Sequence, residues 1–263
     1  MPLTAFHTLP PPVKDYPYRV AVPSDLREAM GKTIGYALDF VLATFDISPD
    51  EPSIPPSEAE LRLQPTADPM TKDQYSVVLW NDDKHSFDET IKLLCDLTNR
   101  TREEASVVAH RIDLDGRDII ESDEDVPRLL EITQALAQID LGVTIRRSYD
   151  TFREQVAAVI IEWLRDLTQS RMGTDTIILR EIIAEELLSA RKIPSPNSIA
   201  REIINPCRID YFFLYHTKLW KRPRLSLKEI YTTALTLSRQ HKLAVGKCRS
   251  CWRALYLTSV IFL

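Results

Sequence analysis

The chain has 263 residues, of which 44% are hydrophobic and 27% are charged, and its net charge is −5. This composition is typical of a folded protein and excludes the collagenous, disordered and membrane-embedded classes. No apolar run reaches the ~18 residues of a spanning helix, and no basic segment precedes an apolar one at the N-terminus. We therefore expect a protein of the cytoplasm, with the nucleus as a second location, and no membrane partner.

Proline-rich stretches divide the N-terminal part of the chain into three segments. Residues 1–23 are Pro-rich and predict an extended segment without a core of its own. A stripe of apolar residues three or four apart predicts a helix over 24–45, which Ser24 can cap. Residues 46–70 are acidic and interrupted by prolines, which excludes a continuous helix or central strand and indicates a linker.

Residues 71–147 carry the densest pattern and predict an α+β module. Two capping boxes, Ser86 with Glu89 and Thr101 with Glu104, indicate helix starts, and β-rich runs indicate strands. The expected order is βααβαβ, with a strand at Tyr75–Trp80, a helix from about Phe87, a short helix ending near Gly116, a strand at Asp118–Glu121, a helix starting at Ser122 and a strand at Leu141–Arg147.

The remainder predicts an all-helical region over 148–247 that supports the module. One apolar stripe lies in its first helix, and the aromatic residues of its last part suggest burial against the module. Residues 248–263 form an atypical end that reads as a truncated or misread terminus. The stripe comprises Phe152, Val156, Val159, Ile160 and Trp163.

Cysteines and basic residues give no indication of metal or nucleic-acid binding. The chain has four cysteines, too few for a disulfide framework, and we expect all of them to be free thiols. Cys248 and Cys251 are the pair at metal-ligand spacing, but a structural zinc site needs four ligands, so we expect no metal site. Basic residues dominate 199–253, dispersed among apolar ones without a nucleic-acid-binding motif, so no nucleic-acid partner is expected.

Polar residues concentrate after the first strand, at Asn81-Asp82-Asp83. Alone, this tripeptide is a common turn between a strand and a helix, where acids are favoured by the helix dipole. Asp113 breaks that rule, because it is predicted at a helix C-terminus, where a carboxylate costs ~0.3 to 1 kcal/mol. A residue that breaks a local rule suggests a function, although a solvated carboxylate at a frayed helix end is the alternative.

These residues carry a resemblance. The segments Val77–Asp83 and Ala105–Gly116 resemble the core of the bacterial ClpS adaptors, which bind N-degrons. With Asp113 where the bacterial adaptors carry a histidine, the segment resembles the ClpS-like domain of eukaryotic UBR-box N-recognins, especially fungal ones. Flanking segments Ile34–Phe40 and Ile160–Leu164 resemble the surroundings of that domain there.

The resemblance implies a site for a protein N-terminus. Asn81 and Asp82 would face the α-ammonium, Asp113 would complete the acceptor set, and Asp83 would have a lesser role or cap the following helix. An ammonium group has three donors and no acceptor, which suits a cluster of carboxylate and amide oxygens. The first side chain would enter an apolar pocket lined by Phe87, Thr90, Ala109 and Ile112, residues for which plain core packing is the alternative.

The resemblance also implies the function: recognition of type-2 N-degrons, which are proteins with N-terminal Phe, Leu, Trp, Tyr or Ile. The chain would be the substrate-binding part of a ubiquitin-protein ligase of the N-end rule pathway. No Cys/His cluster resembles the UBR zinc box or a RING finger, so we expect a middle piece of a ligase or a shortened gene product. It would bind rather than catalyse, hold no cofactor, and reach a ubiquitin-conjugating enzyme only through missing regions.

Two other classes of function stay open. The chain could be a stand-alone adaptor or a structural protein without ligase activity. A hydrolase that uses Asp82 and Asp113 as acid and base ranks third, because no nucleophile elbow, phosphate loop or metal motif accompanies them. We also expect binding to survive mild acidity, because a carboxylate in place of histidine keeps its charge down to a pH of about 4.

Overall fold

A computed structural model describes residues 20–49, 54–64, 66, 74–82, 84–195 and 206–235. It confirms the α+β class, and the βααβαβ order holds from β1 to β3. The elements are α1 (Ser24–Ile47), α2 (Glu58–Arg62), β1 (Tyr75–Trp80), α3 (Phe87–Thr98), α4 (Arg102–Asp115), β2 (Arg117–Asp123), α5 (Val126–Gln138), β3 (Val143–Arg147), α6 (Ser148–Gln169), α7 (Ile178–Leu187), α8 (Arg208–Leu214), a 3-10 turn (His216–Lys218) and α9 (Lys221–Ala234).

The sheet has three strands in the order β2-β1-β3, and β1 pairs antiparallel with both neighbours. Strand β1 is buried from Tyr75 to Leu79, as expected for a central strand rich in β-branched and aromatic residues. The register against β2 shifts between Val77 and Val78, where the strand has a bulge or irregularity. The end of β1 lies beside the C-terminal end of α4, because Asn81 N–H donates to the Gly116 carbonyl at 2.9 Å.

Both predicted capping boxes are present. Ser86 caps α3 and Thr101 caps α4, each with reciprocal bonds to the glutamate three residues later. Helix α4 was expected to be short, and this was wrong, since it has 14 residues and ends at Gly116 in the left-handed conformation with φ of 98°. Glycine adopts that conformation at little cost, which makes it a usual helix terminator.

Two expected helix starts were wrong. Ser122 lies in β2, where its hydroxyl is 2.8 Å from that of Ser76, and α5 starts at Val126 with Asp125 as its cap. Pairing with β1 continues to the end of β2, so tertiary contacts override the local capping pattern. Ser24 is the first residue of α1 and not its cap, since Pro23 holds that position.

The expected linker at 46–70 contains a short helix in its described part. Ser57 caps α2, and Leu61 is fully buried in the core of the module. Part of the segment thus packs on the module. The division of the chain into domains, with the module at 71–147 and the helical region at 148–247, stays a prediction.

Helix α6 buries a different face from the one its apolar stripe suggested. Phe152 and Val159 are 62% and 63% exposed, whereas Ala157, Ile161 and Leu164 are buried. The buried face contacts α1, α7 and α9 and also carries Glu154, so a polar residue lies on the inner side and apolar ones outside. The apolar stripe therefore does not mark the buried face of α6 at Phe152 and Val159.

The described residues form two hydrophobic clusters, one in the module and one among α1 and the helices from α6 onward. A buried cluster of charges joins them. Glu154 of α6 pairs with Arg146 at 2.6 Å and with Arg117 at 2.7 Å, and all three side chains are buried. Burial lowers the pKa of Arg117 to about 10, which still leaves it charged at neutral pH.

Within the residues that the structure describes, no helix is long and apolar enough to cross a membrane.

Candidate functional site

A cavity of about 320 Å³ opens between the end of β1, the start of α3 and the last turns of α4. Its wall contains every predicted site residue that lies within the described residues; Asp83 lies outside them. The lining residues are Leu79, Trp80, Asn81, Asp82, His85, Phe87, Thr90, Ala109, Ile112, Asp113 and Leu141.

Asp82 has a fixed carboxylate. Its Oδ1 accepts from the N–H groups of Lys84 at 3.2 Å and His85 at 3.1 Å, and its Oδ2 lies 2.8 Å from His85 Nδ1. Burial alone would raise the pKa of Asp82, but the hydrogen bonds from His85 and Lys84 lower it below the usual value. The carboxylate is therefore charged at neutral pH, and a carboxylate has about four acceptor positions, so it can still accept a bond from a ligand.

His85 is the titratable residue of this cavity that sequence analysis missed, beside the apolar Leu79, Trp80 and Leu141. Its hydrogen bond to Asp82 raises its pKa most, and the Ile139 carbonyl and the charge of Glu89 also favour the protonated ring. The indication in the sequence was a histidine three residues after an acid in one short turn. A ligand that binds the Asp82 carboxylate would compete with this bond and would therefore change the pKa of His85.

The side chains of Asp113 and Asn81 line the cavity and have no bonding partner among the described residues. The Asp113 backbone carbonyl accepts from Lys221 Nζ at 2.7 Å, but its carboxylate makes no ion pair within the described part of the chain. The Asn81 side chain likewise makes no hydrogen bond to another described residue, while its backbone N–H is bonded to Gly116. Both side chains are thus able to bind a ligand.

The other side of the cavity is apolar. Ala109 and Ile112 are 3% and 4% exposed and also belong to the core of the module. Phe87 lies at the rim and packs edge-to-face against His110, with ring centroids 4.4 Å apart. Thr90 lines the cavity as well, and its hydroxyl donates to the Ser86 carbonyl at 3.2 Å. The small Ala109 side chain leaves space between α3 and α4.

The chemistry of the cavity favours binding over catalysis. A general acid must hold a proton near neutral pH, and the lowered pKa of Asp82 works against that role. No group of three or more His, Cys, Asp or Glu side chains among the described residues could hold a metal ion. The expectation that this chain holds no cofactor stays a prediction, and so does the absence of catalysis.

Two comparisons relate this chain to known proteins. The family model of the ATP-dependent Clp protease adaptor protein ClpS matches residues 70–126, which include β1, α3, α4 and β2. The chain is also 29% identical over 295 residues to the E3 ubiquitin-protein ligase ubr1 of Schizosaccharomyces pombe. That alignment covers 80% of this chain and 14% of the ligase, so the chain corresponds to a small part of that relative. The chain therefore carries a ClpS-like domain, within a longer segment that is similar to part of a UBR-type N-recognin ligase.

Proposed function

We propose that the cavity binds the free N-terminus of protein substrates, and that the chain is the substrate-binding part of a ubiquitin ligase of the N-end rule pathway. One observation carries this proposal: a charged carboxylate, Asp82, and a carboxylate without an ion pair among the described residues, Asp113, line the same cavity as a small apolar pocket. The family match at 70–126 supports it. The cytoplasm is the proposed location.

The polar end suits an α-ammonium group. Its three donors would bond to Asp82, Asp113 and the side-chain oxygen of Asn81, all of which line the cavity. Asn81 also offers a donor, which a carboxylate does not, so it can contact the carbonyl of the first peptide group. Asp83 stays a proposed lesser contributor outside the described residues.

The apolar end suits a bulky first residue, and we propose the type-2 set: Phe, Leu, Trp, Tyr and Ile. An apolar cavity of about 150 Å³ holds a benzene molecule. The cavity here, at about 320 Å³, has room for an aromatic ring beside the ammonium group. Ala109 supplies the space, and Phe87, Thr90 and Ile112 would contact the ring or aliphatic chain.

The magnitudes give a weak but useful affinity. Burying a Phe- or Leu-sized side chain contributes about 1.5 to 3 kcal/mol, and each charged hydrogen bond contributes about 1.5 to 3 kcal/mol. Association entropy offsets a large part of this, which leaves roughly micromolar binding. Such binding permits release of the substrate after it has been handed on.

Peptide binding tests the proposal. Fluorescence anisotropy would compare peptides that differ only at residue one, with Phe, Leu, Arg or Gly, and a fifth peptide with acetylated Phe. We expect the Phe and Leu peptides to bind at least tenfold more tightly than Gly, because Gly loses the pocket contact. We expect acetylation to abolish measurable binding, because it removes the ammonium group.

The control for this experiment is the peptide itself, since the Phe and acetyl-Phe forms share every other residue. Equal affinity for all five peptides would overturn the proposal and leave a fold retained without its binding activity. Tight binding of Arg with weak binding of Phe would overturn the type-2 assignment alone.

A further inference from the structure

Three residues at the start of α9, its N-cap Trp220 and its first two residues, contact the module at the back of the candidate site. We call Trp220, Lys221 and Arg222 the α9 clamp. Trp220 is 5% exposed, and its ring centroid lies 3.4 Å from the guanidinium carbon of Arg117. The same guanidinium lies 5.0 Å from the ring of Trp80, which lines the cavity. Arg117 thus links the first clamp residue to the strand that leads into Asn81.

Lys221 contacts the C-terminal end of α4 directly. Its Nζ donates to the Asp113 carbonyl at 2.7 Å. Its backbone passes so close to Gly116 that a Cβ there would lie 2.9 Å from the Lys221 nitrogen and 2.7 Å from its Cβ. Any residue with a Cβ atom at position 116 is therefore incompatible with this contact, and only glycine fits.

Arg222 completes the clamp on the outer side of α4. Its guanidinium pairs with Asp115 at 3.1 Å and with Glu162 of α6 at 2.9 Å. The three residues together contact the last turn of α4, the following glycine and the first residue of β2. They lie about a hundred residues away in the sequence, outside the segment that matches the adaptor family.

The end of α4 is connected to both polar parts of the cavity. Gly116 N–H donates to the Ile112 carbonyl at 2.8 Å, which closes the last turn around Asp113. The Gly116 carbonyl accepts from Asn81 N–H at 2.9 Å. A shift of this turn would therefore move Asp113 and Asn81 relative to each other.

The C-terminal end of α4 carries negative charge that a nearby cation stabilises. The last carbonyls of a helix carry partial negative charge and lack partners within the helix, and Asp113 adds a full negative charge there. Lys221 places an ammonium on the carbonyl of Asp113 itself and leaves its carboxylate without an ion pair among the described residues. The charge is compensated while the acceptor oxygens stay open to the cavity.

We infer that the α9 clamp is a positioning element of the candidate N-terminus site, and that Lys221 is the residue that holds Asp113 in its binding geometry. This inference rests on the proposed function of the same cavity. It makes the helical region a functional part of the site, although none of its residues contacts the proposed ligand.

A double-mutant cycle on the full chain tests the inference. We expect Lys221→Met to weaken binding of the Phe peptide by about fivefold, because the last turn of α4 loses the bond that fixes the position of Asp113. In the Asp113→Asn background the same change should have no further effect, because Lys221 acts on binding only by positioning the Asp113 carboxylate. Lys221→Arg should restore affinity to within about twofold of wild type, because it keeps the charge.

Two measurements separate positioning from stability. Lys32→Met changes an exposed lysine on α1 in the same way and should leave peptide affinity unchanged. The urea midpoint of the Lys221→Met variant, measured alongside, should stay near that of Lys32→Met. A large fall in that midpoint would assign Lys221 to stability and overturn the inference.

The outcomes distinguish the inference from the function on which it rests. If wild type binds Phe and acetyl-Phe peptides equally, the proposed function fails. If wild type discriminates but Lys221→Met binds equally or more tightly, or loses the same factor in the Asp113→Asn background, the inference alone fails.

Discussion

Acidic side chains occur in two contrasting settings in this molecule. Among the packed helices, Asp39 pairs with Arg208 at 2.7 Å and Asp46 pairs with Arg191 at 2.5 Å, with all four side chains at most 2% exposed. At the cavity, Asp113 has no ion pair among the described residues. The buried acids are neutralised by arginines and hold helices together, whereas the cavity acids keep acceptor capacity for a ligand.

The difference separates stability from binding. A buried pair that loses one partner leaves an uncompensated charge and costs several kcal/mol. Replacing an acid that lines a solvent-open cavity costs little unfolding free energy, because water solvates the groups that remain. Substitutions in the two settings should therefore affect different measurements.

The largest expected effect is the loss of stability when a buried ion pair is broken. Arg208 is fully buried and also donates to the Glu186 carbonyl at 2.9 Å, so Arg208→Leu should cost about 3 to 5 kcal/mol of unfolding free energy. Urea denaturation measures this cost. The matched control is Arg102→Leu, which breaks an exposed pair with Asp88 and should change stability by less than about 0.5 kcal/mol. Equal urea midpoints for both variants would contradict the assignment of Arg208 to stability.

The second effect is on binding at the cavity, with a smaller cost in stability than that of Arg208→Leu. Asp82→Ala and Asp113→Ala should each weaken binding of the Phe peptide by more than about tenfold, since a charged hydrogen bond contributes about 1.5 to 3 kcal/mol. Anisotropy gives the affinity and urea denaturation the stability of the same samples. Wild-type affinity in both variants would remove these carboxylates from the site.

The smallest expected effect is the change of peptide affinity with pH. The pKa of His85 is raised by its bond to Asp82, and an ammonium bound to Asp82 would lower that pKa again. Binding therefore releases a proton where His85 is protonated, so affinity is full above the raised pKa and decreases as pH falls through it. The expectation of acid tolerance drawn from Asp113 stays a prediction, and the same measurement decides between the two.

The measurement is the affinity of the Phe peptide between pH 5.5 and 7.5, where we expect a loss on the order of threefold toward acid. In His85→Gln, which keeps a donor for Asp82 but does not titrate, the profile should be flat. A wild-type profile that overlays that of His85→Gln would show that His85 plays no part.

Local patterns predicted the elements that local interactions determine. The Ser86 and Thr101 boxes satisfy helix ends within four residues of sequence, and the β-rich run at Tyr75–Trp80 needs no distant information to be recognised. The position of Asp113 at a helix end was predicted in the same way. The structure brings it to the cavity that Asn81 and Asp82 line.

Longer-range features could not be predicted from spacing. Periodicity placed Phe152 and Val159 on one face of α6 but could not show that this face is exposed. Ser122 joins β2 because β1 lies beside it, a contact that no local rule contains. Lys221 reaches Asp113 across 108 residues of sequence, so its role depended entirely on the tertiary structure.

The apolar wall of the cavity belongs to the core, since Ala109 and Ile112 are nearly inaccessible and pack with the residues under the sheet. A larger residue at 109 would fill the cavity, and a smaller one at 112 would leave a void in the core. If the cavity binds the first substrate residue as proposed, its preference can change most readily at Phe87 and Thr90, which line the cavity without belonging to the core of the module. Divergence of specificity should begin on α3 while α4 stays conserved.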